Sequence, residues 1–140
     1  MVDHKMLKEI HEANRQFYLA FESLDIKQMD QVWAQEDQVY CVHPGWDLRA
    51  GWPAVRDSWV QIFNHALSMR FAITAIKVNI EGDCAWVTCM ENITSMMDGS
   101  PQHSRVLATN IFRKQEGGWK VVHHHGSPVF RPATPEERMH

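Results

Sequence analysis

Few cysteines, no long apolar run and no concentration of basic residues are present, and each absence excludes a class of protein. The three cysteines (Cys41, Cys84 and Cys89) are an odd number without metal-knuckle spacing, which excludes a disulfide framework and indicates a reduced, cytoplasmic setting. No apolar run approaches the ~20 residues of a membrane-spanning helix, and residues 1–10 lack the apolar core of a signal peptide. With a net charge of −3 and no basic stripe, we expect no binding to nucleic acid or membrane.

The composition that is present fits one globular domain. The chain has 140 residues, of which 44% are hydrophobic and 22% charged, and this is enough for one sizeable core. No internal repeat or linker divides it. We predict a single domain over residues 1–128, followed by a C-terminal tail over residues 129–140 in which prolines and charges alternate. The one unusual feature of the composition is nine histidines.

The first half of the chain has the periodicity of helices. Apolar residues recur every three or four positions over residues 2–24, which predicts a long amphipathic helix with Asp3 as its N-cap. Residues 26–33 predict a short second helix. Residues 52 to about 65 predict a third, because Pro53 is tolerated in a first turn. Between the second and third helices, residues 38–43 predict a strand, which Pro44 and Gly45 end.

The second half has the residue pattern of strands joined by short turns. We predict strands at residues 70–80, 84–95, 103–114 and 119–128, separated by turn-forming segments rich in glycine and acidic residues. Consecutive strands with short connections form an antiparallel meander. The order helix, helix, strand, helix, four strands therefore predicts an α+β domain. A bent sheet wrapped around the first helix would enclose a cavity suited to a small-molecule ligand.

Several segments in this order resemble a known superfamily. The resemblance is carried by residues 14–21 with Asp30, Trp33 and Ala34, by residues 41–46, Arg49 and Gly51, and by residues 83–88 and 118–128. Together they resemble the nuclear transport factor 2-like (NTF2-like) superfamily, in its SnoaL-like and ketosteroid-isomerase-like branch. The resemblance implies a cone-shaped fold with three helices of the N-terminal half packed on a strongly bent, mainly antiparallel sheet. It also implies a homodimer.

The resemblance does not choose an activity, since the superfamily includes isomerases, dehydratases, epoxide hydrolases, polyketide cyclases and proteins that only bind or oligomerise. Ketosteroid isomerases use an aspartate base with a tyrosine and a protonated aspartate as oxyanion hole, and this constellation has no match here. The run His123, His124, His125 and Ser127 also resembles the C-terminal signature of iota-class carbonic anhydrases, with Gly126 in place of a serine.

Strand alternation divides the three consecutive histidines between two faces. Trp119, Val121, His123, His125 and Ser127 are predicted to share the face toward the pocket, and Lys120, Val122 and His124 the other. We therefore assign His124 to an interface. His43, at the end of the first strand, is the candidate partner from elsewhere in the chain. The predicted catalytic residues are His125, His43, Ser127 and His123.

These histidines allow a metal-bound and a metal-free interpretation. A His-x-His pair with a third, distant histidine has a spacing that suits a zinc-type ion. The metal-free interpretation is more economical, because a neutral, partly buried histidine can itself transfer a proton near neutral pH. We predict no metal and no cofactor. The alternative without function is that the histidines only satisfy buried backbone groups.

Five further residues are predicted to bind the substrate. Trp46 and Trp52 flank a loop near His43, where they would line the cavity mouth, and Arg49 would attract an anionic group there. Side chains alternate between the two faces of a strand, so one of Glu91 and Asn92 and one of Thr109 and Asn110 must face inward. The sequence does not show which residue of each pair does so. The predicted substrate-binding residues are Trp46, Arg49, Tyr40, Asn92 and Asn110.

Three hypotheses about function follow. The first is an acid–base enzyme of isomerase, cyclase or hydratase type, acting on an apolar or aromatic small molecule. The second is a hydratase similar to iota-class carbonic anhydrase, centred on His125 and Ser127. The third is a ligand-binding or assembly module without catalysis. Apolar residues occur on both parities of the strands, as Trp86 with Val87 and Val106 with Leu107 show, so we expect a homodimer through the sheet.

Overall fold

A computed structural model of the chain describes residues 3–97 and 99–130, and the following account concerns these residues. Three helices and six strands follow one another in the order α1 (His4–Ser23), α2 (Ile26–Val32), β1 (Tyr40–Val42), β2 (Arg49–Ala50), α3 (Trp52–His65), β3 (Ser68–Glu81), β4 (Cys84–Met97), β5 (Ser100–Gln115) and β6 (Gly118–Pro128). This confirms the predicted α+β class. Of the predicted tail, only residues 129 and 130 lie within the described part.

The long first helix has the start that its sequence predicts. Asp3 is the N-cap, and its Oδ1 accepts hydrogen bonds from the backbone nitrogens of Lys5 at 2.9 Å and Met6 at 3.3 Å. These bonds satisfy two of the four N–H groups that a helix start leaves free. The helix ends at Leu24, which adopts a left-handed conformation with φ 56°. Its apolar stripe, with Ile10, Phe17 and Phe21 nearly fully buried, packs on the inner face of the sheet.

The sheet is curled, open and mainly antiparallel. Its strand order is β2-β1-β6-β5-β4-β3, and only the pair β1–β6 is parallel. The predicted meander of four strands is confirmed as β3 to β6. The short β2 strand lies in a segment that we predicted as a loop. Strand β5 begins earlier than predicted, and Pro101 pairs with Met96. Proline is tolerated there because β6 pairs with β5 only from Val106 onward, so this stretch of β5 is an edge.

A β-bulge interrupts strand β6 just before its histidines. Phe112 of β5 pairs with Val121, and Ile111 pairs with His123, so Val122 has no partner on β5. A bulge adds one residue to one strand, and the alternation of side chains therefore shifts by one position beyond it. This shift decides which histidines face the interior.

The prediction that Trp119, Val121, His123, His125 and Ser127 share one face is wrong. Trp119 and Val121 face the core, but beyond the bulge the buried residues are His124 and Gly126. His124 is only 1% exposed. His123, His125 and Ser127 lie on the outer face of the sheet, where His125 and Ser127 are exposed. Simple alternation fails here because the extra residue, Val122, occupies one step of the strand without a partner.

Two further observations concern the environment of the chain. Cys41, Cys84 and Cys89 are free thiols, and Cys41 and Cys89 are buried. Within residues 3–97 and 99–130, no helix has the length and apolar character needed to cross a membrane.

Candidate functional site

An open cavity of about 1150 Å³ lies on the inner side of the sheet, toward α1 and α3. Apolar side chains form much of its wall, including those of Phe21, Ile62, Phe71 and Ile93. Polar and aromatic residues also line it, among them Glu91, His43, His124 and Trp46. A cavity that combines apolar walls with convergent polar groups is a usual form of a small-molecule site.

Glu91 is the buried carboxyl group of this cavity. It lies on the inward parity of β4 and is 2% exposed. The hydroxyl of Tyr18 donates a hydrogen bond of 2.6 Å to its Oε2. Burial disfavours the charged form and raises the pKa of Glu91 to about 7, although the hydrogen bond from Tyr18 opposes this shift. A carboxyl group with this pKa can both give and take a proton near neutral pH.

Tyr18 connects Glu91 to a chain of buried polar side chains. Asn110, which is fully buried on β5, donates from Nδ2 to Tyr18 Oη at 3.1 Å and to Asn14 Oδ1 at 2.9 Å. Its own Oδ1 lies 2.6 Å from Nδ1 of His124. Burial raises the pKa of Tyr18 well above its usual value, so its hydroxyl keeps its proton. The network links β4, α1, β5 and β6 through hydrogen bonds alone.

His43 occupies a separate buried position beside α3. Its Nε2 lies 2.9 Å from Oγ of Ser58, and that hydroxyl donates to the backbone oxygen of Val55 at 2.6 Å. Since Ser58 has only one hydrogen to donate, His43 donates from Nε2. Burial, together with the nearby positive charge of Arg49, lowers the pKa of His43 to about 4. His43 is therefore neutral at physiological pH.

His124 is neutral for the same reason. Complete burial lowers its pKa well below the usual value, and His43, His123 and His125 add smaller effects in the same direction. The ring centroids of His124 and His43 are 6.2 Å apart. His43 and His124 thus place two uncharged imidazoles on the same cavity wall as the Glu91 carboxyl group, which titrates near neutrality.

The structure separates the residues that the sequence predicted as catalytic. His43 lies inside, whereas His123, His125 and Ser127 lie on the outer face beyond the bulge. The rings of His123 and His125 stack on each other with centroids 6.3 Å apart. The inner partner of His43 is therefore His124, and the predicted convergence of His43 with His123 and His125 does not occur.

The predicted substrate-binding residues are also divided. Trp46 lines the cavity, with its ring centroid 5.0 Å from that of His43. The guanidinium of Arg49 lies 5.2 Å from the ring centroid of Trp46, but Arg49 is not among the cavity-lining residues. Asn110 faces inward, as one of the two open alternatives allowed, and its amide is engaged in the buried network.

Two of these residues lie on the outer parity of the sheet. Asn92 is among the residues that line the cavity, but its amide donates to the backbone oxygen of Ala72 and to Oγ1 of Thr74 on strand β3. Tyr40 is 37% exposed and packs beside His123, with ring centroids 6.1 Å apart. Their side chains therefore contact residues of the outer face of the sheet and not the polar network inside.

Sequence reasoning left Glu91 open as one of two alternatives, and it missed Tyr18 and the inward position of His124. Glu91 follows Ala85, Val87 and Cys89 on one parity of β4, and a carboxylate on an apolar parity is a signal that could have placed it. Tyr18 follows Phe17 in α1, and the apolar periodicity of the helix does not mark it as a polar group of the site. His124 carried no such signal, because its inward position depends on the bulge at Val122.

Within residues 3–97 and 99–130, no three histidine, cysteine or acidic side chains are grouped so that they could hold a metal ion. The polar groups of the inner site are carboxyl, hydroxyl, amide and imidazole groups.

Proteins of similar structure and sequence come from several organisms. A proposed dehydratase of the NTF2-like family from Streptomyces avermitilis is 32% identical and has a TM-score of 0.87, over 93% of this chain and 100% of that chain. A proposed calcium/calmodulin-dependent protein kinase type II association domain from Thiobacillus denitrificans is 33% identical with a TM-score of 0.75, over 84% and 93%. A ketosteroid isomerase-like protein from Erwinia carotovora atroseptica, 19% identical with a TM-score of 0.75 over 89% and 97%, shares the fold.

The comparison with curated proteins matches the F-box protein SKIP8 of Arabidopsis thaliana. It is 31% identical over 123 residues, which are 88% of this chain and 51% of that protein. The chain thus spans about half the length of this relative. A sequence model of the SnoaL-like domain matches residues 10–131. The resemblance inferred from the sequence is confirmed, and the chain belongs to the SnoaL-like domain family, within the NTF2-like fold.

Proposed function

We propose that the protein is an acid–base enzyme that acts on a small, largely apolar molecule in the inner cavity, with Glu91 as the group that transfers the proton. One observation carries the proposal. Glu91 is a 2%-exposed carboxyl group on the cavity wall, and burial brings its pKa to about 7. A catalytic acid or base works best when its pKa lies near the working pH.

The surroundings of Glu91 support removal of a proton from a carbon atom. The burial of Glu91 removes most water from its carboxylate, which strengthens it as a base. Tyr18 holds one carboxylate oxygen through its hydrogen bond, so the other oxygen is free to approach the substrate. His43 and His124 are neutral and add no charge that would compete with the developing negative charge.

The relatives support the same class of reaction. The Streptomyces protein is a proposed dehydratase of the NTF2-like family. A dehydration removes a proton from one carbon and a hydroxyl group from its neighbour, so it needs a base of this kind. The SnoaL-like domain and the ketosteroid isomerase-like protein of the same fold suggest a small-molecule-binding or isomerase-type protein, which fits the cavity.

A model reaction that does not require the natural substrate tests Glu91 as the base. Nitrobenzisoxazole loses its ring C–H proton to a base, its N–O bond breaks, and a coloured nitrile phenolate forms. We expect the protein to accelerate this reaction with a pH profile that rises to a plateau with a midpoint near 7, the pKa of Glu91. Glu91→Gln is expected to lower kcat/KM by about 100-fold or more. The absorbance of the phenolate gives the rate.

A matched control uses the histidines of the outer face. His125→Ala should leave the rate unchanged, because His125 is exposed on the other side of the sheet. A rate that is equal in Glu91→Gln and in the unaltered protein would remove Glu91 as the base. A rate that falls in His125→Ala would instead place the base on the outer face with His125, which lies outside the residues lining the inner cavity.

A second candidate function is assembly through the outer face of the sheet. An apolar patch on this face contains Tyr40, Trp86, Met90, Leu107 and Ile111, which lie on the outer parity of neighbouring strands. Leu107 is 51% exposed. Exposed apolar patches mark interaction surfaces. The proposed association domain from Thiobacillus denitrificans, at 33% identity, supports a second copy of the chain as the occupant.

We expect Leu107→Asp to separate such a homodimer into monomers, because it would bury an unpaired charge at the interface. Sedimentation velocity at micromolar concentration should show a dimer for the unaltered protein and at least a 100-fold weaker association for the variant. Leu67→Asp is the control, since Leu67 is 69% exposed but lies before β3, away from the patch. A monomer in the unaltered protein would contradict the prediction.

A further inference from the structure

Asn110 lies at the centre of the polar network around Glu91. Its Nδ2 group carries both amide hydrogens, and the two oxygens near it belong to Asn14 and Tyr18. Its Oδ1 carries no hydrogen and lies 2.6 Å from Nδ1 of His124. Asn110 therefore donates to two residues and accepts from the third.

This arrangement fixes the position of two further hydrogens. The hydroxyl of Tyr18 accepts from Asn110, so its own hydrogen points to Oε2 of Glu91, at 2.6 Å. His124 must hold its hydrogen on Nδ1, because Oδ1 of Asn110 can only accept. The neutral imidazole then has an unprotonated Nε2. No group among the described residues hydrogen-bonds this Nε2, and His124 lines the cavity.

His43 also has one protonated and one unprotonated ring nitrogen. Ser58 donates its hydrogen to the backbone oxygen of Val55, so His43 uses its Nε2 hydrogen on Ser58, and its Nδ1 is unprotonated. The contact to that Nδ1 is the sulfur of Cys41 at 4.0 Å, which is a weak partner. His43 and His124 thus both use their ring N–H groups within the protein, and each has a second ring nitrogen that is unprotonated.

We propose that Asn110 is a positioning residue that holds the hydrogen of His124 on Nδ1 and so leaves the unprotonated Nε2 of His124 as a hydrogen-bond acceptor for the ligand. The ligand is then a largely apolar molecule that brings its own donor, as an alcohol or a phenol does. Its hydroxyl donates to Nε2 of His124, and its apolar body lies against Phe21 and Phe71. This inference rests on the proposed function, because it names the substrate class of the same cavity.

The energetic reason lies in what an unmatched ligand leaves behind. A ligand without a donor places an apolar group against the unprotonated nitrogen of His124 and removes it from water, and a buried acceptor without a partner is unfavourable. A ligand with a hydroxyl group satisfies this acceptor without moving the network. Selection for a hydroxyl group is strong in sites built around such partners.

The first experiment measures the hydrogen position directly by ¹⁵N NMR of the imidazole groups at neutral pH. The signal of His124 is assigned by its loss in His124→Gln. We expect a protonated Nδ1 and an unprotonated Nε2 in the unaltered protein, and a mixture of both forms in Asn110→Leu. A hydrogen on Nε2 of His124 in the unaltered protein would overturn the proposal, whether or not the variant folds.

The second experiment measures affinity for two ligands that differ only in the donor. We expect para-propylphenol to bind at least tenfold more tightly than para-propylanisole by calorimetry, and this preference to disappear in Asn110→Leu. Thr109→Val is the control. Thr109 precedes Asn110 but lies on the outward parity of β5, so the preference for the phenol should remain. Equal affinities in the unaltered protein would refute the inference. Both measurements need no turnover, so a phenol preference without base catalysis would contradict the proposed function alone.

Discussion

Replacing Glu91 by glutamine is expected to raise the free energy of unfolding by about 3 kcal/mol at pH 8 and by less than about 1 kcal/mol at pH 5. The reason is the pKa of this carboxyl group, which burial raises from 4.5 to about 7 in the folded protein. Glutamine keeps the shape of the side chain and an oxygen that can accept from Tyr18, but it does not ionise. Urea denaturation at both pH values gives the two differences.

The direction follows from proton linkage. A carboxyl group whose pKa is raised by folding holds its proton more tightly in the folded state. Stability is therefore greatest when the group is protonated in both states, and it falls as the pH rises from about 4.5 to about 7, where the unfolded chain ionises first. The glutamine variant lacks this loss. Its advantage over the unaltered protein must grow over the same pH range.

The histidines do not affect this comparison, because they are present in both proteins. The folded state lowers the pKa values of His43 and His124, so both proteins lose stability as the pH falls below about 6.5. Glu81→Gln is a control at an exposed position and should stay within about 0.5 kcal/mol at both pH values. An equal effect of Glu91→Gln at pH 5 and pH 8 would show that folding does not raise the pKa of the Glu91 carboxyl group.

His124→Ala is expected to lower the free energy of unfolding by about 3 to 5 kcal/mol. Two effects add. The substitution leaves a cavity beside Phe17 and Trp59, whose ring centroids lie 5.0 and 5.7 Å from that of His124. It also leaves the buried Oδ1 of Asn110 without its donor. Urea denaturation at neutral pH measures the loss.

The neighbouring histidine provides a matched control for this prediction. His125→Ala removes the same atoms one residue later, but His125 is exposed on the outer face, so the change should stay within about 0.5 kcal/mol. Plain alternation from Trp119 predicts the reverse order. Equal or reversed losses of stability would show that the bulge at Val122 does not place His124 on the inner face and His125 on the outer face.

The sequence contains enough local information to predict the fold. The helical periodicity of α1, the cap at Asp3 and the turn-bounded strands of the meander are all short-range patterns, and the structure confirms them. The strand ends were less well predicted. The short β2 strand forms by pairing with β1, and such a contact leaves little trace in two residues of sequence.

The site was harder to predict, because it depends on long-range register. Trp46 and His43 were placed beside the cavity from their position after the first strand. The inward choice of Glu91 over Asn92 depends on how β4 pairs with its neighbours, and both parities of that strand carry apolar residues. The inward position of His124 depends on one unpaired residue, Val122, and single bulges have no reliable signature in composition or spacing.

The bulge at Val122 has a consequence for how relatives of this chain are compared. An ungapped alignment treats every column of a strand as one side of the sheet. A relative without the extra residue, aligned over Trp119 and Val121, would place its matching histidine columns on opposite surfaces from those of this chain. Functional residues in this strand are therefore transferred correctly only by matching each one to its partner on β5, such as Asn110 to His124.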